Sequence, residues 1–145
     1  MHPATFAKLT ALALALAFLG SSAPIAAAEP QSPASAVLDR HLQAFGKRDV
    51  DAIMADYGED AVFITPQGVL KGKAAIRPLF EMLVKEFSSP EASVTIHKRH
   101  ANGPVAYITW SAETPLNRYV FATDTLYVVD DLIRYQTFAA EVSAK

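Results

Sequence analysis

From Ser93 to the end of the chain, side chains alternate along four segments: SVTIHKR, PVAYITWSAE, NRYVFATDTLYVV and LIRYQTFAAEV. β-branched and aromatic residues dominate them, and the breaks between them are hairpin signals, Ala101-Asn102-Gly103, Glu113-Thr114-Pro115 and Asp130-Asp131. Consecutive hairpins build an antiparallel sheet, and strands of about ten residues twist enough for that sheet to curl. A curled sheet has a concave face that must be filled. The filling has to come from the residues ahead of Pro90.

Those residues carry helical spacing. Val37, Leu38, Leu42 and Phe45 form one apolar stripe behind Ser32, an N-cap residue, and Pro33, which suits the first helical position. The stop is expected at Gly46 with the basic pair Lys47-Arg48. Asp49 caps a second, short helix, VDAIMADY. AVFIT reads as a strand that Pro66-Gln67-Gly68 turns into the short VLKG. Ile76, Leu79, Phe80, Leu83 and Phe87 then predict a third helix over 73–87, in which Pro78 is expected to kink or delay the start. Helices first and sheet second is an α+β domain. The expected architecture is a curved antiparallel sheet wrapped round the long N-terminal helix.

Ahead of this domain, Lys8 precedes the apolar run LTALALALAFLG and the small-residue stretch SSAPIAAAEP. Ala26 and Ala28 make an A-x-A site before Glu29, the ending of a secretory signal peptide. Residues 1–28 are therefore read as a leader and 29–145 as one domain, periplasmic or secreted, with no membrane attachment after cleavage. The chain has no cysteine, so neither a disulfide nor a lipid-modified leader is available. Removing 28 of 145 residues leaves about 117, enough to fold on a packed core alone. Of the charged residues only Lys8 lies in the leader, which leaves 12 basic against 15 acidic groups, a balance that excludes a nucleic-acid footprint. The densest basic run, His97-Lys98-Arg99-His100, is too short to alter that.

RHLQAFGKRDVDAIMADYGEDAVFITP, the GKAAIRPLFEML helix and FATDTLYVVDDLIRYQTF, taken in that order, resemble the nuclear transport factor 2-like superfamily, in particular its SnoaL-like and ketosteroid-isomerase-like members. The resemblance spans nearly all of the domain. It implies a cystatin-like α+β cone with an apolar pocket open at one end and a homodimer formed through the sheet. It also implies roles: His41 falls where ketosteroid isomerases place an oxyanion-binding tyrosine, and Asp124 where they place a protonated aspartic acid. The proton-abstracting aspartate of that pattern is replaced by Thr65, ahead of Pro66. A threonine hydroxyl is too weak a base for the task, so steroid isomerisation by that route is not expected.

Independently of any family, His41 sits within the apolar stripe of the first helix. It is either a satisfied core histidine or a group facing a ligand. Strict alternation in YVFATDTLYVV sets Asp124 on one face with Val120, Ala122, Leu126 and Val128, where desolvation would raise its pKa. Such an acid either donates to a ligand or ties the fold together. Convergence of His41 and Asp124 would make a direct or water-bridged imidazole–carboxylate pair. Tyr57, Phe63, Thr65, Phe80 and Trp110 are the expected pocket wall. The opposite strand face, Tyr119, Phe121, Thr123, Thr125 and Tyr127, is aromatic enough to require covering by a second subunit. No metal site is expected, since His97 and His100 find no third ligand, and no cofactor is expected. Two functions follow: an exported module binding a small hydrophobic molecule, or an acid–base isomerase, cyclase or dehydratase acting through His41 and Asp124. The missing base at Thr65 tilts the sequence reading toward the first.

Overall fold

The computed structural model describes residues 31–145; the leader and its cleavage site before Glu29 lie outside the described residues. Helix α1 (Pro33–Gly46) begins as its sequence dictates, with Ser32 Oγ accepting from the Ser35 amide at 3.2 Å. Its last residue is Gly46, where the sequence places the stop. Lys47 is the C-cap, and Arg48 takes the left-handed conformation with φ 62° while donating to Phe45 O at 2.7 Å. Helix α2 (Val50–Ala55) is capped by Asp49, whose Oδ1 accepts from the Ala52 amide at 2.9 Å. It stops before the sequence reading has it stop. Asp56 is its C-cap, and Tyr57 already belongs to strand β1 (Tyr57–Thr65).

Strand β2 (Gly68–Lys71) pairs back on β1, and helix α3 (Lys73–Phe87) follows directly. Pro78 does not delay that helix. Strands β3 (Ser93–Asn102), β4 (Val105–Glu113), β5 (Asn117–Val129) and β6 (Leu132–Ala144) complete a single sheet in the order β2-β1-β6-β5-β4-β3. Asp130 and Asp131, both at positive φ, form the tight turn between β5 and β6. The antiparallel expectation holds for four of the five strand pairs. The fifth, β1 with β6, is parallel, because the chain crosses the helical layer between them.

The helices pack against the concave face of the open, curved sheet. Val37, Leu38, Ile53, Tyr57, Ile76, Leu126 and Ile133 are almost wholly buried between the layers. Register shifts show where strict alternation fails. Between Tyr119 and Phe121, β5 gains one residue on β6, so Tyr119 turns inward to 7% exposure while Val120 is 46% exposed. Strict alternation assigns both to the opposite faces, and the bulge corrects it. A second shift, at Arg134 in β6, turns Gln136 inward beside the Ile133 face.

Candidate functional site

Asp124 lies in the middle of β5, paired laterally with Ile108 of β4 and Phe138 of β6. Its diagonal neighbours on the inner face are Trp110 and Gln136, close enough for long side chains to meet. Trp110 Nε1 donates to Oδ2 at 2.7 Å, and Gln136 Nε2 donates to Oδ1 at 2.9 Å. The Tyr57 hydroxyl donates to Gln136 Oε1. One polar chain thus takes a side chain from each of four neighbouring strands. Asp124 is only 9% exposed, and burial pushes its carboxyl above the ordinary carboxylate range against the opposing pull of the Trp110 and Gln136 N–H groups and of His41. Burial likewise pushes the Tyr57 phenol well above its ordinary value, helped by the charges of Asp124 and Asp56.

His41, on α1, is 6% exposed. Its ring meets Tyr57 and Phe80 edge-on, with centroids 5.5 and 5.6 Å apart. Nδ1 lies 3.4 Å from Oδ2 of Asp56, a residue 1% exposed. Arg40 Nε pairs with the other oxygen of Asp56, and Arg40 also donates to Asp131 O at 3.0 Å. Of the expected direct or water-bridged contact of His41 with Asp124, the direct form does not occur among the described residues: the acid beside His41 is Asp56. Both oxygens of Asp124 already accept from Trp110 and Gln136. A protonated His41 would favour the ionised form of Asp124, and Tyr57 touches the His41 ring while bonding the Gln136 that donates to Asp124.

Of the expected pocket wall, Phe63 stacks on Phe80 at 6.1 Å, and Trp110 lies between the rings of Tyr119 and Phe138 at 5.5 and 6.2 Å. Thr65 is set apart from this group. Its hydroxyl donates to Gly68 O and accepts from the Gln67 amide, both at 3.2 Å, closing the β1–β2 turn. His97 is exposed and bonded to Ser111 at 2.8 Å. Among the described residues no group of three His, Cys, Asp or Glu side chains is placed to hold a metal ion. No described helix is long and apolar enough to cross a membrane.

Sequence reasoning missed Asp56 and Gln136. Asp56 was hidden by assignment to the body of α2, although an acid between Ala55 and Tyr57 in an otherwise apolar stretch was the available signal. Gln136 was hidden by alternation, which puts it on the face opposite Ile133 until the Arg134 shift is known.

A chain with this layer order, open curved sheet and polar interior matches the SnoaL-like domain over residues 38–136. The chain belongs to that family. Its fold is that of the nuclear transport factor 2-like cones. A putative ketosteroid isomerase from Kribbella flavida superposes with a TM-score of 0.62 at 20% identity, over 75% of this chain and 78% of that one. An epoxide hydrolase of the LEH-like type from M. tuberculosis gives 0.61 at 18% identity, over 77% and 86%. SalBIII, an epoxide hydrolase/cyclase-like enzyme in salinomycin pyran ring formation, gives 0.64 at 17% identity, over 76% and 94%. At these identities the likeness is one of fold. No curated protein sequence matches the chain.

Proposed function

We propose that the cone interior takes up a small, largely apolar molecule and exchanges protons with it through His41 and Asp124. The observation that carries this reading is Asp124 itself: a carboxyl buried in apolar surroundings, oriented by two N–H donors and lifted toward the neutral form. An acid whose pKa is raised by burial holds its proton to higher pH than an ordinary carboxyl and is suited to give it to a bound molecule and recover it. His41 supplies a second proton-transfer group within the same aromatic enclosure. The reaction class is isomerisation, ring closure or elimination of water, as acid–base chemistry without a nucleophile allows. Structural neighbours described as a putative ketosteroid isomerase and an epoxide hydrolase/cyclase-like enzyme support this class.

A second reading, uptake without turnover, is favoured by Thr65. Its hydroxyl closes a turn, and β1 brings no base to the interior in place of the missing carboxylate. Fragment screening by NMR, followed by Asp124→Asn and His41→Gln, separates the two. Chemistry predicts that both variants keep binding a retained ligand within a few-fold while conversion is lost. Unchanged binding with no conversion in wild type supports uptake alone.

The reading also includes export and pairing. The mature chain is proposed to begin at Glu29, which the intact mass of protein from its native host tests. A homodimer is proposed through the outer sheet face, where Val105, Tyr127 and Tyr135 stand side by side on three adjacent strands and remain exposed. Sedimentation at micromolar concentration returning the mass of one mature chain would overturn it.

A further inference from the structure

Two buried polar atoms among the described residues have no hydrogen-bond partner, His41 Nδ1 and Asp56 Oδ2, and they lie 3.4 Å apart. A buried donor or acceptor left unsatisfied forfeits its bond to water and gains nothing in return, and for each of these two atoms the other is the polar group within reach to satisfy it. An ionised carboxylate can only accept, which requires the hydrogen to be on Nδ1. The Asp56 residue is held from three directions. Arg40 takes its Oδ1, the Asp56 amide bonds to Ile53 O at 3.2 Å, and the Asp56 carbonyl accepts from the Ile133 amide at 2.7 Å. Arg40 is in turn fixed to the β5–β6 turn through Asp131 O.

We infer that Asp56 is the positioning residue for His41: it holds the hydrogen on Nδ1 and so leaves Nε2, on the opposite edge of the ring, as the basic nitrogen of the neutral imidazole. Nothing in the sequence pattern assigned Asp56 any role. The geometry explains why an acid is tolerated at a position 1% exposed. It also explains why a half-exposed arginine on α1 is committed to that acid: with Oδ1 occupied by Arg40, Oδ2 is the oxygen left for the ring. The carboxylate–imidazole arrangement fixes tautomer and ring orientation together, as it does wherever a histidine must offer one chosen nitrogen.

This inference rests on His41 being a proton-transfer group, and its test is chosen to be independent of that role. Nitrogen-15 NMR of the histidine rings at pH about 8.5, where the ordinary histidine is neutral, reports which ring nitrogen carries the hydrogen. His41→Gln identifies the His41 signals. The expected wild-type spectrum has Nδ1 protonated and Nε2 bare, and Asp56→Asn, whose amide can turn its NH2 toward the ring, moves the hydrogen to Nε2. A wild-type ring protonated on Nε2 overturns the inference, as does an Asp56→Asn ring that keeps its hydrogen on Nδ1. If Asp56→Asn does not fold, the wild-type spectrum alone decides, because a ring with a bare Nδ1 has nothing to donate to Asp56. The expected tautomer with ligand conversion unaffected by His41→Gln leaves the positioning role standing and removes the acid–base reading. The Nε2 tautomer with conversion abolished by His41→Gln does the reverse.

Discussion

Two carboxylates from different parts of the domain are each held by several hydrogen bonds, and the function proposed for one of them would give them opposite jobs. Glu86, near the end of α3, accepts from the Thr114 hydroxyl at 2.8 Å and the Asn117 side-chain amide at 2.9 Å on one oxygen, and from the Tyr119 hydroxyl at 3.1 Å on the other. All three donors belong to the β4–β5 connection and the start of β5, so Glu86 ties the helical layer to that end of the sheet. Thr114 Oγ1 also accepts from the Leu116 and Asn117 backbone amides, which makes the turn itself rigid. Asp124 has fewer donors, is more deeply buried, and joins side chains that are already neighbours in one sheet. A clamp bridges elements and uses its acceptors fully. A proton-transfer group, as proposed for Asp124, is oriented but left at a protonation state that can change. The two are linked only by packing, Tyr119 lying against Trp110 at 5.5 Å.

The largest effect that distinguishes them is on conversion of a bound molecule. Asp124→Asn is expected to lower turnover by about 10²–10⁴-fold, the usual worth of a positioned acid or base, while the protein stays folded. Gln136 accommodates the new amide by exchanging the roles of its oxygen and nitrogen toward the substituted side chain and Tyr57. Loss of folding in Asp124→Asn would make Asp124 a second clamp and erase the contrast. Next in size, Glu86→Ala is expected to cost about 2 kcal/mol in chemical denaturation, because three partly buried donors lose their acceptor, with ligand affinity of the folded protein unchanged. Tyr57→Phe should cost about 1 kcal/mol, the net worth of one hydrogen bond, since the phenol donates only to Gln136.

The smallest effect is a slope. Asp124 has a folded-state pKa above its unfolded value, so between the two the folded chain keeps a proton that the unfolded chain has released. Its contribution to stability is greatest in acid and falls as pH rises through that window. Denaturation of wild type and Asp124→Asn at several pH values from about 4 upward, as a difference, isolates this slope from other groups. An equal pH dependence in both proteins would show that the carboxyl is not perturbed.

The elements of this fold were legible wherever local chemistry decides them. Ser32 and Asp49 cap the helices that their sequence positions announce, and NRYVFATDTLYVV is a strand from its first residue to its last. The site was legible in part. His41 and Asp124 are polar residues on apolar stripes, a pattern visible without coordinates. Asp56, Gln136 and the inward Tyr119 were not, because each depends on something the local pattern does not carry: a helix that ends early, or an extra residue that resets the faces of a strand. The parallel β1–β6 pair was equally invisible, being fixed by the path of the chain across the helices. Glu86 has helical surface spacing like any other glutamate, and only the returning β4–β5 turn gives it partners.

The proposed function requires His41 and Asp124 to form one electrostatically coupled site inside the cone. Carbon-13 NMR of the aspartate carboxyls, titrated in wild type and in His41→Gln, tests it most directly. Asp124 is expected to titrate above the ordinary aspartate value of about 3.9, and to move higher still in His41→Gln, where the positive charge that favours its ionised form is gone. An Asp124 titrating at or below the ordinary value, with no response to His41→Gln, would contradict it.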